Sequence, residues 1–113
     1  MTNFPFFQHY VAKLIFTKEV EINEKLTDQI ANSLIKNLRL NVVKQGKHQF
    51  TNNGLTKFWI LSQSHLVIHS WPENNALHVD LMTCSPIVIT SKIIKDCLSI
   101  FPINDISVTK LKY

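Results

Sequence analysis

The chain has 113 residues, 45% hydrophobic and 18% charged, with a net charge of +4. That length holds one domain with a real core and not two, and the composition excludes a disordered chain. The lysines are scattered and form neither a block nor a stripe interleaved with aromatics, which argues against a nucleic-acid surface and for a solvated one.

The opening MTNFPFFQHYVAKLIF lacks a leading basic region and is interrupted by Gln8, His9 and Lys13, so it does not read as a signal peptide. Its second half, His9 to Phe16, is apolar and β-prone, a first strand. From Asn23 to Leu38 the spacing turns helical: Leu26, Ile30, Leu34 and Leu38 form one stripe, with Asn23 or Thr27 as the cap. Leu40 to Phe50 reads as a strand bent at Gly46. The run Thr51-Asn52-Asn53-Gly54 then marks a turn.

Three strands follow in quick succession, Lys57–Leu61, His65–Trp71 and Leu77–Met82, the last two joined by a turn at Pro72-Glu73-Asn74-Asn75. Alternation puts His65, Val67, His69 and Trp71 on one face and Leu66, Ile68 and Ser70 on the other. Thr90 to Phe101 is a second amphipathic helix, stopped by Pro102, with Ile93, Ile94, Cys97, Leu98 and Phe101 inward. Ile106 to Tyr113 is a last strand whose apolar parity switches midway, which predicts a bulge or an exposed end. The order β-α-β-β-β-β-α-β predicts an α+β fold. One domain spans residues 1–113, a two-layer α/β sandwich whose antiparallel-rich sheet carries both helices on one face. Apolar residues on both strand faces point to a partner subunit over the other. No run reaches the length of a membrane span, and the two cysteines make no disulfide framework, so a reducing cytoplasm is the expected setting.

The stretch from Lys57 to Cys84 concentrates Ser62, Ser64, His65, His69, Glu73, Asp80 and Cys84 within strands that should be buried. Such conflicts between pattern and chemistry mark functional sites. Taken singly, each residue has an ordinary explanation: a strand-end hydroxyl, a half-buried histidine, a small core thiol. His48, His65, His69, His78, Asp80 and Cys84 include metal-ligand types, but no metal-binding spacing joins them, so no metal is expected. A Cys84–His69 nucleophilic pair is chemically allowed, though spacing alone does not select it.

Taken together, Gln63-Ser64-His65-Leu66-x-Ile68-His69-x-Trp71-Pro72-Glu73, followed by Asp80-Leu81-x-Thr83-Cys84, resembles the S-adenosylmethionine decarboxylase proenzyme family in its short bacterial and archaeal form. The resemblance covers residues 9–84, and the C-terminal helix and strand agree in kind. It implies a self-processing enzyme. Ser64 attacks the Gln63 carbonyl, the peptide bond becomes an ester, and elimination followed by hydrolysis leaves a pyruvoyl group where Ser64 stood. The products are a β chain, residues 1–63, and an α chain, residues 64–113. His69 and Thr56 assist processing by this likeness. The pyruvoyl group is the cofactor and forms a Schiff base with substrate, so neither pyridoxal phosphate nor metal is needed. Cys84 is then the proton donor, Phe50 stacks on adenine, Leu61 lines the adenine site and Glu73 holds the ribose.

By the same resemblance the enzyme is a homodimer with shared sites. One protomer gives the pyruvoyl, Leu61 and Cys84; the other gives Phe50, Thr56, His69 and Glu73. The substrate implied is S-adenosylmethionine, for polyamine synthesis. Arginine or ornithine is the alternative within the family, and an unprocessed binding partner is the alternative outside catalysis. The chain departs from the family pattern at Gln63 (usually Glu), Thr56 (usually Ser), Lys57 (usually small) and Gln8-His9, which replace a glycine-containing signature.

Overall fold

The computed structural model describes residues 7–84 and 87–112. The elements follow the expected order: β1 (Gln8–Phe16), α1 (Glu24–Asn37), β2 (Val42–Gln49), β3 (Leu55–Leu61), β4 (Ser64–Trp71), β5 (Ala76–Thr83), α2 (Ser91–Leu98) and β6 (Ile103–Leu111). A 3₁₀ turn, Pro72–Asn74, joins β4 to β5. The strands form one six-stranded sheet in the order β2-β3-β4-β5-β1-β6. Every ladder is antiparallel.

Both helices lie on one face of this sheet, as expected of a two-layer sandwich. Ile30 and Leu34 of α1, Ile94 and Leu98 of α2, and Leu14, Leu66, Ile68, Leu77 and Leu81 of the strands share one core and are almost wholly buried. Each such side chain contributes about 1.5–3 kcal/mol by leaving water. Ser33 Oγ donates to the Cys97 carbonyl at 2.6 Å and fastens α1 to α2. The opposite sheet face is half-buried and carries His65, Val67 and His69 of β4, as the alternation predicts.

Several local expectations change. Asn23 is the cap of α1, its side chain accepting from Leu26 N at 2.9 Å, whereas the Thr27 hydroxyl donates back to the Asn23 carbonyl. Thr90 caps α2, which ends at Leu98 and not at Pro102, because Ser99 and Phe101 close the last turn through the Asp96 and Leu98 carbonyls. Gly46 does not bend β2. Its missing side chain admits the Phe58 ring, whose Cζ would lie 2.5 Å from a Cβ there, and the register shift falls between Val42 and Lys44 instead. In the 51–54 turn it is Asn53, at φ 70°, that takes the left-handed conformation. The break in β6 falls at its start, where Phe16 pairs with Ile103 and Ile15 with Asp105, while Leu111 is the exposed end. The expected strand end, Tyr113, lies outside the described residues.

Candidate active site

The Gln63–Ser64 bond lies at the apex of the β3–β4 hairpin. Leu61 pairs with Ser64 as the last rung, leaving Ser62 and Gln63 as the two-residue loop. The Ser62 amide is held by the Asn41 carbonyl at 2.9 Å, so the apex is tied to the segment entering β2. Ser64 itself has φ 145°, a region that residues with a side chain rarely adopt. Backbone conformations of this kind cost about 1–3 kcal/mol and persist where surrounding structure enforces them. Here the enforcement comes from both sides, since Ser64 pairs with Leu61 on β3 and with Thr83 on β5.

Thr83 is followed by Cys84, which the β4–β5 register therefore sets beside Ser64. Cys84 and Gln63 line a common cavity of about 100 Å³ with Arg39, Leu40, Asn41 and Leu61. The Cys84 thiol is free and half-buried. Leu61 also belongs to the core and is 5% exposed, so only part of its side chain faces this cavity.

A second group forms at the other end of the same hairpin. Thr56 and His69 face each other across β3 and β4, with Thr56 Oγ1 2.8 Å from His69 Nδ1. They open onto a cavity of about 380 Å³ that Phe50, Trp71 and Glu73 also line. Phe50 is half-exposed and its ring meets His48 edge-on at 4.6 Å. Glu73 sits in the 3₁₀ turn after β4. The His69 pKa is lowered from the ordinary 6.5, first by burial and then by His78, against a smaller opposing pull from Asp80. His78 is the register partner of His69 on β5, with ring centroids 6.0 Å apart. A neutral imidazole beside a hydroxyl is an arrangement suited to moving a proton.

One chain does not unite these groups. Ser64 and His69 stand five positions apart along β4, about 17 Å at the rise of a β-strand. The Cys84–His69 pair allowed by the sequence is excluded within one chain for the same reason. Thr83 stands opposite Ser64 while His78 stands opposite His69, so thiol and imidazole occupy opposite ends of β4 and β5. Of the metal-type residues, the fold brings His65 and Asp80 together, and the third member of their group is His9. Among the described residues His48, His69, His78 and Cys84 join no such group. Sequence reasoning passed over His9 as a site residue and weighed His78 only as a metal-ligand type. Their strands' alternation carries the signal, because His9 on β1 and His78 and Asp80 on β5 share the face of His65 and His69.

Residues 8–112 match the family model described as S-adenosylmethionine decarboxylase. The chain is 32% identical over 89 residues to a protein of Archaeoglobus fulgidus named S-adenosylmethionine decarboxylase proenzyme, covering 78% of this chain and 77% of that one. A protein of the same name from Clostridium botulinum is 31% identical over 72 residues, 64% of this chain and 62% of its own length. The fold is that of a crystal structure of the adenosylmethionine decarboxylase from Aquifex aeolicus, with a TM-score of 0.72 at 24% identity over 95% of this chain and 89% of that one. A match that runs nearly end to end, with the fold agreeing, means that the chain belongs to the S-adenosylmethionine decarboxylase family of enzymes.

Proposed function

We propose that this chain cuts its own Gln63–Ser64 bond and then acts as a pyruvoyl-dependent decarboxylase of S-adenosylmethionine, supplying an aminopropyl donor for polyamine synthesis. The observation that carries this reading is Ser64, held at φ 145° on a hairpin apex beside Cys84 in a chain of this family. A strained residue at the bond to be cut has less to lose on reaction than a relaxed one.

In the cut, Ser64 Oγ bonds to the Gln63 carbonyl carbon as the carbon–nitrogen bond breaks, giving an ester and a free Ser64 amine. Loss of the Ser64 α-proton then expels the Gln63 carboxylate and leaves dehydroalanine, which water hydrolyses to a pyruvoyl group with release of ammonia. A pyruvoyl group in that place supplies a carbonyl able to take up the electron pair left by departing carbon dioxide. The remaining work belongs to the chain's own side chains. Cys84, next to the residue that pairs with Ser64, holds the proton returned to the substrate carbon. Phe50 offers an exposed ring for a flat base. Glu73 offers a carboxylate to the ribose hydroxyls.

These roles require a second copy of the chain. The Ser64–Leu61–Cys84 end and the Phe50–Thr56–His69–Glu73 end are half-sites, and a two-fold dimer brings one of each together twice. Ile60 and Trp71, exposed on the open sheet face at 43% and 51%, are apolar surface that such a partner would cover. The free thiols accord with a cytoplasmic setting.

Intact mass spectrometry of the purified protein tests the first step. Fragments matching residues 1–63 and 64–113 are expected, and a chain still whole after long incubation rejects self-processing in favour of an inactive homologue. Carbon dioxide release is then measured on S-adenosylmethionine, arginine and ornithine. Release from the first is expected; release only from the others rejects the substrate.

A further inference from the structure

On the open face of the sheet, away from the Thr56–His69 pair, three side chains from neighbouring strands converge. His9 Nε2 lies 2.8 Å and His65 Nε2 3.2 Å from the same oxygen, Asp80 Oδ1. One ligating atom from each residue falls within 4.8 Å of the other two. The sheet builds this. His9 on β1 and His65 on β4 both stand opposite Met82 of β5, one on either side, and Asp80 lies two residues along β5 on the same face. The two rings are nearly perpendicular, with centroids 6.2 Å apart, so the imidazoles reach the carboxylate from different directions. Within one chain none of the three is fully buried, with side-chain exposures of 11%, 38% and 31% for His9, His65 and Asp80.

The geometry points to a divalent transition-metal site formed by His9, His65 and Asp80. Two imidazole nitrogens and one carboxylate oxygen suit borderline ions such as Zn²⁺, Co²⁺ and Ni²⁺, whereas Mg²⁺ and Ca²⁺ call for more oxygen ligands. Three protein ligands leave a coordination position open. Because the ligands stand on three hydrogen-bonded strands, little ordering remains to be done when an ion enters. No sequence motif announces the set, since Asp80 is 15 residues from one histidine and 71 from the other. The inference does not depend on the proposed reaction. The three ligand atoms converge in the uncut chain.

The test uses the full-length protein, treated with chelator and then titrated with ZnCl₂ by calorimetry. One ion per chain is expected, with a dissociation constant of about 1 μM or tighter. Asp80→Asn and His9→Gln, each confirmed as folded by circular dichroism, are expected to weaken binding at least about tenfold. Cys84→Ala is expected to leave it unchanged, and a Co²⁺ spectrum should lack the thiolate charge-transfer band. Absence of binding overturns the proposal and leaves a hydrogen-bonded His–Asp–His group. Full-strength binding in either folded ligand variant, or its loss in Cys84→Ala, overturns it equally.

Discussion

Thr56 Oγ1 and His69 Nδ1 are 2.8 Å apart across the β3–β4 ladder, and the hydroxyl fixes which way the imidazole faces. Orientation through a neighbouring hydrogen bond is a common way to set a histidine's tautomer. Thr56→Val keeps the shape and removes that bond, and is expected to slow self-cleavage about tenfold, the worth of one such hydrogen bond. Thr56→Ser should restore most of the rate. A time course of fragment formation by mass spectrometry measures both.

The environment of His69 sets a pH dependence. Burial and then His78 lower its pKa from 6.5, with Asp80 opposing and the Thr56 hydroxyl as its hydrogen-bond neighbour. A histidine whose folded pKa lies below its unfolded one favours the neutral form. Its contribution to stability is therefore complete above the unfolded value and declines as pH falls through it. Cleavage should accordingly hold its rate as pH drops through 6.5 and fail only lower. His78→Ala removes one of the two causes and should move the midpoint upward, toward the ordinary value. A pH–rate profile of both proteins decides this, and an unmoved midpoint rejects the role of His78.

The backbone at Ser64 makes a prediction about stability apart from catalysis. Ser64→Ala and Ser64→Gly both lack the hydroxyl and should remain uncut. At φ 145° an alanine carries the same conformational cost as the serine, whereas glycine carries little. Ser64→Gly should therefore be more stable than Ser64→Ala by about 1 kcal/mol, against the usual order of the two residues. Urea denaturation of the pair measures the difference.

Lys57 has a structural partner set. Its ammonium meets Glu24 at 2.9 Å and Asp28 at 2.6 Å and binds β3 to α1, with the side chain 11% exposed. Burial alone would lower its pKa, but the hydrogen bonds to Asp28 and Glu24 outweigh it and raise it. Hydrogen bonds from Lys47 and Lys57 pull Glu24 down to about 2. A carboxylate depressed in this way adds stability that is present at neutral pH and is lost as pH falls from 4.5 toward 2. Lys57→Met keeps the buried stem and is expected to cost about 2 kcal/mol at pH 7, and less at pH 3. Chemical denaturation at the two pH values checks it.

The half-sites predict complementation. Cys84→Ala should process and lose turnover, and Glu73→Gln should process and bind substrate poorly. Mixed and allowed to exchange subunits, the two should recover about a quarter of normal activity, because half the dimers are mixed and each has one intact site. No recovery after proven exchange rejects the shared site.

The sequence shows its fold most clearly where one face is buried. The Leu26, Ile30, Leu34 and Leu38 stripe and the Leu66, Ile68, Ser70 alternation both survive in the structure, because burial is what produces such periods. Element ends were less legible. Ser99 and Phe101 end α2 before Pro102 is reached, and Gly46 serves a close approach that depends on Phe58, a residue on another strand. Within the site, the Ser64 to Glu73 run is readable because it occupies one strand and the following turn. The group formed by His9, His65 and Asp80 is not, since only strand order β4-β5-β1 places those residues side by side.

That strand order also governs what a cut at Gln63 would leave behind. The first fragment carries β1, β2 and β3, and the second carries β4, β5 and β6. Yet β1 lies between β5 and β6, and β3 lies beside β4. Three of the five ladders, β1–β5, β1–β6 and β3–β4, therefore join one fragment to the other. The pieces are interleaved like clasped fingers. Each keeps only a two-stranded ladder if the other departs, too little to stand alone, so a nicked protein should melt in a single transition and neither half should fold when made alone.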